Sequence, residues 1–492
     1  MFALGQLSKH CLLPSIRRTK TGDCGNIIYK HYRALSSSPS CDIAAVQTTV
    51  SASVNEPNTL HASRNMRPNG LADRHRACFE RMRSMTSVQP DLDATRNVSN
   101  MFRPAPSSQD EERELVEQYS SQMPTQLTLR QMADFGRKVN PDTGVASVKF
   151  LKNELPCRLA HALVDLDALP SSLLLTAPMQ IVREYYRQSF NDIVIFPEYN
   201  GEEDAVEYVN RFTSVLKHIL IRHRNIVVTV AQGVIAMKKT LGKDVISPTI
   251  QEFLDRFYLM RISMRVLMNQ HCELFREWLN MTEGGPGSAW REQESLIGVV
   301  EENINVRACA EDAAENGRYL ISQTYGITAP RVEILERNGS AQFPYVPSHL
   351  FHICSELLKN SLRATVEHYG VDYEMEGDQD YPPVRVIIVK GEEDCTIKIS
   401  DEGGGIPRSE VDNIWTYLYT TAEAPALLES DFGSDPTTAP LAGLGYGLPL
   451  SRVYARYFGG DLNVISMEGY GTDCYVHLKL ASHEISYEQS SS

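Results

Sequence analysis

The hydrophobic and polar positions of the chain change period twice. From about Glu112 to Tyr325 apolar residues recur at three-to-four spacing, as in Leu159, Leu163, Leu166 and Leu169, and again in Phe253, Phe257, Met260, Met264 and Leu267. That period predicts amphipathic helices. Pro156 and Pro170 punctuate the region, Pro197 closes an apolar stretch, and Gly284–Gly287 form a loop before its last helix. Several long helices with short connections predict a bundle resembling four-helix bundles. Near Ala329 the pattern becomes alternating and β-branched, in RVEIL, VRVIIVKGEEDCTIKIS and GTDCYVHLKL, which predicts strands. Helices are expected between them, at about His349–His368 and Leu448–Phe458. The fold class is therefore α followed by α/β: a helical domain over 112–325 and an α/β sandwich over 326–481.

Two further segments lack periodicity. Residues 41–111 are polar and rich in Ser, Asn, Pro and Arg, and read as a disordered linker. Residues 482–492 read as a flexible tail. Residues 1–40 carry Lys9, Arg17, Arg18, Lys20, Lys30 and Arg33 against the single acid Asp23, which suits a mitochondrial transit peptide or a disordered basic tail.

The formal net charge of -14, with no basic domain, argues against nucleic acid as a partner. No uninterrupted apolar run reaches the ~20 residues of a membrane span. The ten cysteines are scattered without a C-x-x-C pair, as expected of core thiols in a reducing compartment.

Candidate chemistry is concentrated in the last third. On the predicted helix HLFHICSELLKNSLRATVEH, the residues Glu356, Lys359, Asn360 and Arg363 fall at i, i+3, i+4 and i+7, on one face, with His352 one turn earlier. Leu350, Ile353, Leu357 and Ala364 face the other way. An acid, an amide and two cations are the set a magnesium–triphosphate site needs, since an amide oxygen can ligate Mg²⁺ and cations offset phosphate charge. The turn SDEGGGIP follows a predicted strand; Asp401 can accept a hydrogen bond from an adenine amine, and Gly403 to Gly405 let the backbone approach a ligand. After a loop-like stretch from Glu423 to Ala442, the segment GLGYGLPLSR opens a helix with Gly443, Gly445 and Gly447, leaving N–H groups aimed at an anion. No strand immediately precedes it and no Gly-Lys-Ser/Thr follows, so it is neither a dinucleotide fingerprint nor a Walker loop. Finally GYGTD, Gly469 to Asp473, lies between two strands and offers Thr472 to a phosphate or base.

The order and spacing of these four pieces resemble the GHKL ATPase/kinase superfamily with its Bergerat nucleotide fold. The segments ELLKNSLRATVE, SDEGGGIPRS, YLYTTAEAP, LAGLGYGLPLSRVYARYFGGDL and SMEGYGTD, with FLKNELPCRLAH, ILIRHRNIV and FLDRFYLMRISMRVLMNQH in the helical half, are similar to the mitochondrial pyruvate dehydrogenase kinases. That resemblance covers about Pro124 to Leu480. It implies a matrix protein-serine kinase that uses ATP and Mg²⁺ to phosphorylate the α subunit of pyruvate dehydrogenase. It also implies a homodimer that docks on lipoyl domains of the acyltransferase core. By the same resemblance Glu356 is the general base and His352 orients it. Asn360 ligates Mg²⁺, and Lys359 and Arg363 lie near the phosphates. Asp401 holds the adenine amine, with Gly403 and Gly405 beside it. Thr420 and Thr421 contact the nucleotide, Gly443, Leu444, Gly445, Tyr446, Gly447 and Leu448 wrap the phosphates, and Thr472 supports the base end.

Two features depart from the family pattern. The chain ends SHEISYEQSSS with no Trp after Trp415, where the animal members use an Asp-Trp pair across the dimer, and Glu429, Asp431 and Asp435 make the Glu423–Ala442 stretch acidic. Three alternatives stay open. The branched-chain 2-oxoacid dehydrogenase kinase shares every nucleotide motif, and YLYTTAEAP leans toward it. A histidine kinase needs a phosphoacceptor His followed by an acid, which none of His161, His218, His223 and His271 is. A nucleotide-switched scaffold would bind ATP without transferring it. In the helical half, Arg256, Arg261 and Arg265 lie on an apolar helix and are expected to be held by structural ion pairs.

Overall fold

The computed structural model describes residues 109–242, 246–282, 295–371, 380–420 and 445–480, and side chains within these except at 277–282. The transit-like segment, nearly all of the linker, the Gly284–Gly287 loop, the Glu423–Ala442 stretch and the tail lie outside the described residues.

The helical half runs α1 Gln109–Ser120, α2 Leu129–Gly136, α3 Pro141–Asp167, the single turn α4 Ser171–Leu174, α5 Ala177–Val194, α6 Ala205–Arg222, α7 Ile226–Leu241 and α8 Pro248–Thr282. Helix starts follow local chemistry. Thr128 with Gln131, and Asn140 with Thr143, form reciprocal capping pairs. Pro156, expected to punctuate the region, instead sits inside the 27-residue α3. The apolar stripe of α3 is buried on both sides of it, at Val148, Leu151 and Leu155 and at Leu159, Leu163 and Leu166, and this burial outweighs the one lost backbone bond. Ala205–Leu241 is apolar enough in composition to span a membrane. It is divided at His223–Asn225 into α6 and α7, and Phe212, Leu216, Ile219, Val230 and Val234 lie in the bundle core.

A two-stranded antiparallel ribbon, β1 Leu296–Ile297 and β2 Val300–Glu301, leads into α9 Val306–Tyr325. The second half continues with β3 Val332–Arg337, α10 Pro347–Tyr369, β4 Val384–Lys390, β5 Asp394–Asp401, α11 Gly447–Tyr457, β6 Asp461–Met467 and β7 Gly471–Lys479. The five strands are ordered β3-β4-β5-β7-β6, parallel at β3–β4 and antiparallel elsewhere. Along β5 every second residue is buried, namely Cys395, Ile397, Ile399 and Asp401. Period-two burial of this kind marks a sheet with helices on one face.

The expected domain boundary at 325/326 falls inside this second core. Val306, Cys309, Ala310 and Ala313 of α9 are buried with Leu350, Ile353 and Leu357 of α10 and with the sheet, not with the bundle. Helix α9 reads as one more amphipathic helix in sequence, and only its partner surface assigns it to the α/β half. Helix α11 lies between the two cores: Leu450, Val453 and Tyr457 pack toward the bundle, Ala455 toward the sheet.

Candidate active site

Pro347 opens α10 at its first turn, where a missing N–H costs nothing. Leu350, Ile353, Leu357, Leu358, Leu362 and Val366 are buried, which fixes the rotation of the helix and turns the predicted polar stripe toward α11. Ala364, expected on the buried face, is half-buried beneath Gly403.

The polar stripe meets the start of α11 across a glycine. A Cβ at Gly447 would lie 2.8 Å from Glu356 Oε2 and 3.8 Å from Asn360 Nδ2. Only the absence of a side chain lets the helix start come so near the carboxylate. Tyr446 makes no side-chain cap on α11, so among the described residues the first N–H groups of that helix have no capping side chain and can take an anion. Glu356 is only 9% exposed, and its Oε1 accepts from Lys359 Nζ at 2.6 Å. Lysine has three donors, so this contact leaves two for a phosphate. Asn360 is exposed and, among the described residues, has no hydrogen-bond partner.

His352 is not hydrogen-bonded to Glu356. Its ring packs on Tyr454, centroid to centroid 4.7 Å, and Nε2 is buried without a partner. Burial lowers its pKa from the ordinary 6.5 more than the Glu356 carboxylate raises it, so the ring is mostly neutral at pH 7. Arg363 donates to Glu367 Oε1 at 2.7 Å, and the Tyr325 hydroxyl donates to the same oxygen at 2.8 Å. The expected phosphate ligand is thus held by a neighbouring acid one turn on.

At the other end, Asp401 closes β5 at 5% exposure. Its Oδ1 accepts from the backbone N–H of Gly403 at 3.0 Å and of Thr472 at 3.2 Å. Burial raises the Asp401 pKa; a hydrogen bond from Ser361 and those two N–H groups oppose this. The Thr472 hydroxyl lies 3.0 Å from Ser466 Oγ. Gly403 touches α10 so closely that a Cβ would stand 2.6 Å from Ala364 Cβ, and Gly405, at φ +70°, abuts the Met467 carbonyl. These close approaches pack the turn onto both α10 and the β6–β7 hairpin. Sequence reasoning missed Ser361 and Ser466. Their signal was available only as small polar residues beside Asn360 and before GYGTD.

The third loop is split by burial. Gly445, at φ +67°, and Gly447 lie at the loop, and Leu448 is half-buried in the first turn of α11. Tyr446, expected to wrap phosphates, turns its side chain away. Its ring is 1% exposed, 5.1 Å from Tyr417 and 5.9 Å from Tyr258 of α8, so only its backbone can face a ligand. Thr420 is exposed at the last described position before the Glu423–Ala442 stretch, while Thr421, Gly443 and Leu444 lie outside the described residues.

The polar groups gather in two places along α10: Asp401 with the Gly403 and Thr472 N–H groups, and Asn360 with Lys359, the buried Glu356 and the start of α11. Those donors fit ATP with a divalent cation. Residues 345–482 match the family model described as histidine kinase-, DNA gyrase B- and HSP90-like ATPase. Residues 126–301 match the model described as mitochondrial branched-chain alpha-ketoacid dehydrogenase kinase. That match ends just before α9, where the cores divide. The mitochondrial pyruvate dehydrogenase (acetyl-transferring) kinase of Ascaris suum is 41% identical over 377 residues, covering 75% of this chain and 87% of that protein. The mitochondrial isozyme 4 of Homo sapiens is 41% identical over 75% of this chain and 84% of its own, and the Drosophila melanogaster kinase 41% over 78% and 88%.

The chain belongs to the mitochondrial pyruvate dehydrogenase kinase family. The helical half followed by a GHKL nucleotide domain is the architecture expected from the sequence, and the family makes the chain an ATP-dependent kinase.

Proposed function

We propose that the chain is a serine kinase that transfers the γ-phosphate of Mg–ATP to the α subunit of pyruvate dehydrogenase and so switches that enzyme off. The observation that carries this reading is the buried Glu356 carboxylate facing the free N-terminus of α11 across Gly447, with Asn360 beside it. Asp401 accepts from the adenine amine, while the N–H groups at Gly445–Gly447 and Lys359 hold the phosphates. Asn360 supplies an oxygen to Mg²⁺. Such a cation, when bound, would offset developing charge on the phosphates. Glu356 takes the proton from the incoming serine hydroxyl, a task typically worth ~10²–10⁴-fold in rate. The neutral His352, one turn away, adds no charge of its own, so Lys359 at 2.6 Å is the cation beside that carboxylate. Placement and charge supply most of the rate, because phosphoryl transfer needs little covalent help.

The relatives are named mitochondrial, and the basic segment 1–40 supports import into the matrix. Among the described residues the helices cover one face of the sheet. The other face exposes Leu335, Ile465 and Met467, the last two at 59% and 60%, which supports burial against a second copy. Docking on lipoyl domains belongs to the same reading.

The branched-chain complex is the second reading, favoured by the description of the model that the helical half matches. Incubating the full chain with Mg–ATP and each purified complex decides between them. Acid-stable phosphoserine on the pyruvate dehydrogenase α subunit is expected. Label entering only the branched-chain complex would sink the first reading, and acid-labile label on the kinase itself would point to a histidine kinase.

A further inference from the structure

Helix α8 of the bundle packs against α11 and also hydrogen-bonds the segment that precedes the glycine loop. Gln251 Nε2 donates to the Trp415 carbonyl at 2.9 Å, and Gln251 Oε1 accepts from the Tyr417 N–H at 3.2 Å. One turn on, Asp255 Oδ1 accepts from the Tyr417 hydroxyl at 2.8 Å. A glutamine that uses both ends of its amide on one extended backbone acts as a short strand edge, and fixes that backbone in register with the helix. Tyr417 is fully buried, between Tyr258 at 5.4 Å and Tyr446 at 5.1 Å.

What this holds in place is the glycine loop. Leu418 N–H donates to the Gly445 carbonyl at 3.1 Å. Leu418 has φ +62°, a conformation a leucine keeps only when its surroundings impose it. Tyr419 backs directly onto Gly445, whose missing Cβ makes room for the Tyr419 backbone. Three links therefore run from α8 to Tyr417, from Leu418 to Gly445, and from Gly445 to the uncapped start of α11. Asp255 is half-buried, and burial raises its pKa against the opposing hydrogen bond from Tyr417 and the charges of Arg456 and Arg452.

We propose that Gln251 and Asp255, acting through Tyr417, are positioning residues for the phosphate-binding loop Gly445–Gly447, so that the bundle supplies part of the ATP affinity. This rests on the nucleotide reading of that loop. None of the three touches the ligand; they set where its backbone donors stand.

The test uses the full chain. ATP binding is measured by equilibrium dialysis, with KM for ATP and kcat alongside. Tyr417→Phe and Gln251→Ala are expected to weaken ATP binding and raise KM for ATP about three- to thirtyfold, with kcat at saturating ATP within about twofold of the parent. Asp255→Asn, which still offers an oxygen to the hydroxyl, should retain affinity to within about threefold of the parent. A purely structural role would lower thermal stability and leave the affinity of the folded fraction alone. Equal ATP affinity in the parent, Tyr417→Phe and Gln251→Ala overturns the proposal. Failure of the parent to bind ATP would instead overturn the nucleotide reading. Should the variants not fold, amide exchange on the parent decides: saturating ATP is expected to slow exchange in 248–258 as well as 415–420, and unchanged exchange in 248–258 overturns the proposal.

Discussion

Two helices of this chain carry cations on an otherwise apolar surface, and they treat them in opposite ways. On α10, Lys359 and Arg363 are each held by an acid on the same helix, Glu356 at 2.6 Å and Glu367 at 2.7 Å. On α8, Arg256, Arg261 and Arg265 were expected to be held by structural ion pairs, but among the described residues only Arg256 meets an acid, and that acid is on another helix, Asp165 of α3 at 3.5 Å. Arg261 is buried, donates to the His223 carbonyl at 3.1 Å and keeps Nε without a partner. Arg265 keeps Nη1 without one, and burial pulls its pKa down to about 10. The Tyr186 hydroxyl nearby is also buried and unpartnered. The lesson is that i,i+3 and i,i+4 pairs are written in the spacing of the residues. A cation facing another helix has its partner, or lacks one, by tertiary packing alone.

The largest expected break of the comparison is at the working end of α10. Glu356→Gln should retain ATP binding and lose about 10²–10⁴-fold in phosphate transfer, measured as single-turnover rate with saturating ATP. Normal transfer by that variant would remove the glutamate from the chemistry.

Both halves should in turn be acid-sensitive, since burial lowers the pKa of His349 on α10 to about 3 as it does for two histidines of the bundle. His223 and His271 are buried, and burial lowers the pKa of both from 6.5 to about 3. A depressed histidine contributes stability that is present above 6.5 and lost as pH falls toward 3, because only the unfolded chain takes up the proton. Each site gives a slope of up to about 1.4 kcal/mol per pH unit across that window. Urea unfolding at pH 7.5 and 5.5 measures it, and equal stability at the two values would show that these rings protonate in place.

A smaller effect separates the two kinds of cation directly. Arg265→Met removes a charge without an acidic partner and is expected to stabilise the fold by about 1–3 kcal/mol, seen as a higher melting temperature. Glu367→Gln, on the half-exposed α10 pair, should change stability by less than about 1 kcal/mol. The reverse order would mean that Arg265 is satisfied in solution.

The nucleotide site was legible because its parts are local. Asp401 and Gly403 sit two residues apart, and Glu356, Asn360 and Gly447 belong to a helix face and a helix start that periodicity and glycine placement already mark. The side chain of Tyr446 was not legible for a related reason. A residue between two loop glycines looks like part of the loop, yet its ring belongs to a tyrosine cluster built from Tyr258 and Tyr417, far away in sequence. The helix α9 was assigned to the wrong half because amphipathicity tells that a face is buried and not against what.

What the sequence determined by itself was the class of each half, the polar stripe of α10 and the order of the nucleotide loops, since period and glycine spacing are short-range consequences of backbone geometry. Only the tertiary structure decided which core α9 joins, that Gly447 brings the α11 start against Glu356, that His352 stands on Tyr454 rather than hydrogen-bonded to the glutamate, and that Gln251 and Asp255 hold Tyr417. Each of these depends on which surfaces meet, and burial fixes that only when both halves are folded.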